Sequence, residues 1–144
     1  MIAPEQPPEG WIHEYPLRVQ FEDVDQYGIV HHPRYLLFME RARVDLMGRI
    51  GMRADRLGGE HLGLIVVKAE VRFLRSARFL DELIVAQGCS KAGASRIVLD
   101  YALRRGPDPI CAAQLTLAFV DGSGRPVRAP ADLKAELVRL GIPS

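Results

Sequence analysis

Residues 21–35 read Phe21-Glu-Asp-Val-Asp-Gln-Tyr-Gly-Ile-Val-His-His-Pro-Arg-Tyr35. An alternating, strand-like run leads into this stretch, a turn with two acids fills its middle, and a long apolar helix leaves it. Gly28 stands in the turn, where a left-handed backbone is cheap for Gly and costly for other residues. Pro33 stands where the first helical turn begins, a place at which a missing N–H is no loss. Backbone N–H groups at a helix start lack intrahelical partners and face outward at the positive end of a dipole. A carboxylate at Asp25, the imidazoles of His31 and His32, and free amide donors are therefore brought together. The stretch outlines a chemical site.

Working outward, Trp11 to Glu22 predicts a strand: Tyr15, Leu17, Val19 and Phe21 alternate with Pro16, Arg18, Gln20 and Glu22, the period-two signature of a sheet with one buried face. Pro16 marks an edge or an irregularity near its start. On the other side, Tyr35, Phe38, Met39, Ala42 and Leu46 recur at 3-and-4 spacing, widened by Leu36, Leu37, Val44 and Met47. Polar residues collect at Glu40, Arg41, Arg43, Asp45 and Arg49, and the helix ends near Gly48 or Gly51. A helix this apolar needs contact on several sides, which a curved sheet wrapped around it provides.

Met52 to Gly63 is a Gly-rich loop or short helical turn. Strands follow at Ile65–Phe73, Glu82–Cys89, Ile97–Leu103 and Cys111–Phe119, separated by Leu74–Asp81, Lys91–Ser95 and Gly106–Pro109. Ala129 to Leu140 predicts a short amphipathic terminal helix capped by Asp132 or a neighbour. Strand, buried helix and four consecutive strands make an α+β class with hairpin connections. The curved sheet leaves an edge strand exposed, and pairing edges across a two-fold would bury it.

The 144 residues suit one domain at 11–144 after a loose lead-in at Met1–Gly10. A formal net charge of +1 gives no electrostatic case for nucleic acid or an anionic membrane. No apolar run approaches a membrane span, and the Pro- and Glu-rich start lacks a signal-peptide core, so the cytoplasm is the default compartment. Cys89 and Cys111 have no CxxC spacing and read as reduced, buried thiols. His13, His31, His32 and His61 share no ligand spacing, so no metal site is expected.

The element order and the motif together resemble the hotdog-fold acyl-CoA thioesterases, specifically the 4-hydroxybenzoyl-CoA thioesterase-like family. The carrying residues are Asp25-Gln-Tyr-Gly-Ile-Val-His-His-Pro-Arg-Tyr35 and Phe38-Met-Glu-Arg-Ala-Arg43, supported by Val71-Arg-Phe-Leu-Arg-Ser-Ala-Arg78 and Asp81-Glu-Leu83. The resemblance covers roughly Leu17 to Val120. It implies a homodimer or tetramer with each site at a subunit interface, the acyl chain entering between two long helices. By position, Asp25 matches the catalytic carboxylate, either nucleophile or general base on water. The His32 N–H matches the oxyanion donor, the His32 side chain a proton-transfer group of one family branch, and Gly28 the glycine that lets the turn pass close to substrate. His31 stands where Tyr is frequent and bears on acyl preference, and Ser76 stands where Pro is usual, a change expected to affect only a loop. Tyr35 serves both core and acyl pocket. Arg75, Arg78, Lys91 and Arg96 are candidates for coenzyme A phosphates, sitting in or beside turns with phosphate-matching donors.

The implied reaction is hydrolysis of an acyl thioester to an acid and a free thiol, with no cofactor beyond the coenzyme A of the substrate. Hydrolysis of acyl groups from an acyl carrier protein is the near variant, with Arg53, Arg56, Arg75 and Arg78 as a basic rim. A non-catalytic acyl-binding module has no reason to keep Asp25 beside the helix start, and a dehydratase would pair a histidine such as His32 with an acid of the partner subunit. Asp23, two residues before Asp25, reads as a structural turn acid. Glu40 and Arg43, three apart, read as a helix-surface pair.

Overall fold

The computed structural model describes residues 11–49 and 63–131, together with Ala135. The lead-in at 1–10 and the segment 50–62 lie outside the described residues, as does most of the predicted terminal helix, of which Ala131 and Ala135 are described and helical. Strand β1 (His13–Arg18) and a 3₁₀ turn (Phe21–Asp23) precede the helix α1 (Arg34–Arg49). Four strands follow: β2 (Gly63–Phe73), β3 (Glu82–Ala92), β4 (Arg96–Arg105) and β5 (Asp108–Val120). They form one antiparallel sheet in the order β1-β3-β4-β5-β2. This is the hotdog architecture, an open curved sheet around one main helix.

The helix is where the sequence predicts it because its apolar stripe has somewhere to go. Tyr35, Phe38, Met39, Ala42, Leu46 and Met47 are buried against Leu83, Val85, Leu99, Leu115, Leu117 and Phe119 of the sheet. Each fully buried large side chain contributes about 1.5–3 kcal/mol over leaving it in water. Arg43 departs from its predicted place on the polar face. It is buried, and its Nη1 donates to the hydroxyl of the wholly buried Tyr101 at 3.2 Å instead of pairing with Glu40. A long guanidinium stem can cross an apolar layer when a polar partner waits on the other side.

Two further expectations are corrected. The first strand is shorter than predicted: Val19 is buried, but Phe21 is 77% exposed and its ring meets that of Phe79 edge-on at 5.9 Å. The 3₁₀ turn at Phe21–Asp23 breaks the alternation that pointed Phe21 inward. The connection from β2 to β3 is not a hairpin. β2 pairs with β5, while β3 lies between β1 and β4 at the far side of the sheet. Residues 74–81 make that crossing and are fastened along it. The Leu74 and Arg75 N–H groups donate to the Ile110 carbonyl, Ile29 bridges to Arg78, and Leu80 donates to Val19. Leu80 holds φ at 71°, a conformation a bulky residue adopts only when its surroundings impose it. The crossing therefore runs directly over the acid-bearing turn.

Pro16 sits, as expected, on an edge strand, because β1 ends one side of the sheet. At the other edge, β2 alternates in sequence yet leaves Ile65, Val66 and Val67 each more than 40% exposed. Among the described residues no strand pairs with its outer side.

Candidate active site

The turn at Asp25 is a tight hairpin. The Asp25 N–H donates to the Ile29 carbonyl at 2.9 Å, the Gly28 N–H returns to the Asp25 carbonyl at 3.0 Å, and Val24 bridges to Val30. Gly28 closes it at φ +79°. A Cβ there would meet nothing within 4 Å, so backbone conformation, not crowding, is what Gly supplies. The Asp25 side chain is fixed through one oxygen, Oδ1, which accepts the Tyr27 N–H at 2.8 Å. Its other oxygen has no donor among the described residues.

At the helix start, Pro33 falls one residue before the first helical residue, Arg34. The Arg34, Tyr35 and Leu36 N–H groups are taken by the carbonyls three residues back, at 2.8, 3.3 and 3.3 Å, and the His31 N–H by Asp23. That leaves one main-chain donor without an acceptor among the described residues, the His32 N–H. The sequence suggests several free donors there, and the tightened first turn reduces them to this one.

Asp25 and His32 both line a pocket of about 510 Å³, with Ile29, Val30, Tyr35, Phe73, Leu74, Arg75 and Ser76 completing its wall. The His32 ring meets Phe73 edge-on at 5.9 Å and lies 5.1 Å from the His31 ring. Tyr35 is buried, packs on Phe38 and Phe73, and accepts the Ala77 N–H at 3.1 Å through its hydroxyl oxygen. Burial pushes its hydroxyl pKa up, so the phenol stays neutral and pins the crossing segment to α1. A carboxylate oxygen, an unpaired amide donor and an apolar wall are the parts that attack on a carbonyl requires.

A model of the thioesterase-like superfamily matches residues 19–137, which span the hairpin, the helix and the whole pocket wall. The chain belongs to that superfamily. It is 32% identical over 123 residues to the acyl-CoA thioesterase YbgC of Haemophilus influenzae, covering 84% of this chain and 90% of that one. It is 27% identical over 128 residues to the chloroplastic acyl-acyl carrier protein thioesterase ATL3 of Arabidopsis thaliana, covering 88% and 67%. Among solved structures, a thioesterase of Thermus thermophilus in complex with coenzyme A and Zn superposes with a TM-score of 0.81 at 26% identity, covering 94% and 100%. The chain is thus a hotdog thioesterase, a thioester hydrolase.

Within this thioesterase the candidate residues divide. Asp25, His32, Tyr35 and Arg75 come together at the pocket, with Gly28 shaping the turn beneath them. His31 is exposed and outside the lining, because its N–H is turned back onto Asp23. Arg78 is exposed and outside the lining; its main chain bridges Ile29 and its N–H donates to Asp81 Oδ2. Lys91 and Arg96 lie at the opposite end of the sheet: Arg96 pairs with Ala118, whereas Phe73 of the pocket pairs with Cys111. Seven residues along β5 put roughly 23 Å between those ends. They do not line this pocket in their own chain.

Ser76, expected to matter only to a loop, is part of the wall, and Phe73 and Leu74 form much of its apolar side. Their signal was the end of a strand, which carries no chemistry in sequence until the crossing folds it over the turn. Asp23 is the structural acid its position suggests, wholly buried and paired with Arg34. Cys89 and Cys111 are free and buried, their thiols pushed up to about 11 and about 12 by desolvation. Among the described residues no cluster of three or more His, Cys, Asp or Glu could hold a metal ion, and no helix is long and apolar enough to cross a membrane.

Proposed function

We propose that this chain hydrolyses an acyl-CoA thioester to a carboxylic acid and free coenzyme A, with Asp25 and the His32 N–H acting on the same carbonyl. One observation carries the reading: Asp25, with one carboxylate oxygen unpartnered among the described residues, and His32, with its N–H likewise unpartnered, line one pocket. The His32 N–H holds the carbonyl oxygen as it becomes an oxyanion, a charge absent from the ground state. Asp25 either attacks the carbonyl carbon, giving an acyl-enzyme anhydride that water then hydrolyses, or takes a proton from the attacking water. On either route the C–S bond breaks, one water is consumed, and the thiolate leaves with its proton returned from water or the His32 ring.

The acyl group meets Ile29, Val30, Tyr35, Phe73 and Leu74, and Arg75 at the rim offers its guanidinium to a coenzyme A phosphate. No further cofactor is required. The exposed apolar residues of β2, with Leu36, Leu37 and Val44 on α1, support a homo-oligomer in which a second copy covers this face. Two unpaired buried thiols fit the cytoplasm. Similarity to an acyl-acyl carrier protein thioesterase supports a second reading, in which the thiol carrier is an acidic protein docking at Arg75 and Arg78. Arg53 and Arg56 of the predicted rim lie outside the described residues.

The test is thiol release from aromatic, short and long acyl-CoAs and from matching acyl carrier proteins, by wild type and Asp25→Asn. Turnover of a CoA ester, lost on mutation, supports the first reading. Turnover of carrier-protein esters alone selects the second, and full activity in Asp25→Asn removes Asp25 from the chemistry.

A further inference from the structure

Asp23 has no solvent exposure. A carboxylate taken out of water costs several kcal/mol unless it is paired and fully hydrogen-bonded. Here Oδ1 accepts Arg34 Nε at 2.9 Å and Nη2 at 2.6 Å, and Oδ2 accepts the Gln20 N–H at 2.8 Å. The Asp23 carbonyl accepts the His31 N–H at 2.9 Å. One residue is therefore fastened both to the chain before the Asp25 hairpin and to the start of the helix after it.

Arg34 is used twice as well. Its guanidinium holds Asp23, and its main-chain N–H donates to the His31 carbonyl at 2.8 Å. The His31 carbonyl and the His32 N–H belong to one planar trans peptide and point to opposite sides of it. Holding the carbonyl therefore fixes the direction of the amide proton. The His31 N–H is held at the same time, so the peptide planes on both sides of the His31 Cα are anchored to Asp23 and Arg34.

We propose that the Asp23–Arg34 ion pair is a positioning device that aims the His32 N–H at the substrate's carbonyl oxygen. This rests on the reading of the His32 N–H as oxyanion donor. Neither residue lines the pocket, so both act through the His31–His32 peptide and neither touches the reacting atoms. An oxyanion donor works within a narrow distance window, and a displacement of about 1 Å can cost about a hundredfold in rate. Loose surface bonds would not hold that window, whereas two guanidinium nitrogens closing on one oxygen of a wholly buried carboxylate do.

Three variants test it: Arg34→Lys, which keeps charge and loses the fork; Asp23→Asn, which keeps shape and loses charge; and the paired Asp23→Leu with Arg34→Met, which removes both charges together. The paired form guards against misfolding, since it leaves neither charge behind without its partner. For each, kcat and KM are measured on the best thioester, binding of free coenzyme A by calorimetry, and the direction of the His32 N–H by residual dipolar couplings against those of α1.

The expected result is a fall in kcat of about ten- to a hundredfold in folded protein. KM and coenzyme A binding should stay within about twofold, since ground-state contacts are untouched. The His32 N–H vector should turn relative to the helix. An unchanged vector in the paired variant overturns the proposal, as does kcat within about twofold of wild type. If wild type cleaves no thioester, the functional reading falls while the dipolar couplings still decide whether the pair sets the direction of that amide.

Discussion

Helix α1 touches two polar clusters, and they are built on opposite terms. Towards its C-terminal half, His13 Nε2 lies 2.7 Å from Asp45 Oδ2, and its Nδ1 lies 2.7 Å from Gln87 Nε2, which also donates to the Ala42 carbonyl at 2.7 Å. Arg49 adds a second donor to Asp45 at 2.9 Å. Because Gln87 Nε2 must donate to both neighbours, His13 is the tautomer with its proton on Nε2. Only the Gln87 Oε1 is left without a partner. At the N-terminal end, Asp25 keeps one bare oxygen, and the His32 N–H and Arg75 guanidinium have no acceptor among the described residues, all at a pocket wall. The His13–Asp45 cluster spends its donors on its own members, so its role is to hold the fold together. The unsaturated one has its bonds still to make, and a substrate is what completes them.

This contrast predicts separable effects. Asp25→Asn should lower kcat/KM by about a hundredfold or more, the usual cost of an essential catalytic group. Its melting temperature should stay at the wild-type value, because the Tyr27 N–H can still be accepted by the amide oxygen; a large shift in melting would move Asp25 into the structural class. His13→Ala should do the reverse. It leaves a buried gap and strips a partner from Gln87 and Asp45, costing about 1–3 kcal/mol in urea unfolding with kcat/KM nearly unchanged. Loss of activity in folded His13→Ala would mean that the two clusters communicate along the helix.

The His13–Asp45 cluster also sets an acid response. The hydrogen bond from His13, then the bond and charge of Arg49, hold the Asp45 carboxyl below its ordinary value. A carboxyl so depressed adds stability that is complete above its unfolded value of about 3.9 and disappears as pH falls through the folded value. The stability gap between wild type and Asp45→Asn should therefore be widest near neutrality and close in acid, followed by denaturant midpoints across pH 2–7. A gap independent of pH would assign the effect to packing. Smallest of all, Lys91→Gln and Arg96→Gln should leave KM for a CoA ester within about twofold if coenzyme A follows Arg75 of the same chain, whereas Arg75→Gln should raise it severalfold. A larger effect at Lys91 or Arg96 would show that the ligand's phosphates reach across to a second subunit.

The sequence shows the helix, the five strands and the Asp25 motif because each is a local pattern: period two, 3-and-4 spacing, and a Gly where φ must be positive. It does not show the swing of the chain from β2 at one edge to β3 beside β1, because strand order is decided by long-range pairing such as Phe73 with Cys111. Everything that depends on that swing was hidden with it. Phe73, Leu74 and Ser76 become pocket wall only after the crossing, and Lys91 and Arg96 read as rim residues only while the sheet's two ends are indistinguishable. Arg43 misled for a different reason: a charged side chain looks solvated until its buried partner, Tyr101, is known, whereas Asp23 was legible as a structural acid but not its pairing with Arg34.

Phe73 stands at the end of β2, the strand whose outer side no described strand covers, and it is also a wall of the pocket. Under the proposed self-association, assembly and catalysis then share a strand, and mass action enters the kinetics. Dilution would free the edge, loosen the wall and lower turnover per chain, so specific activity should rise with enzyme concentration to a plateau. The enzyme would, in effect, report its own abundance.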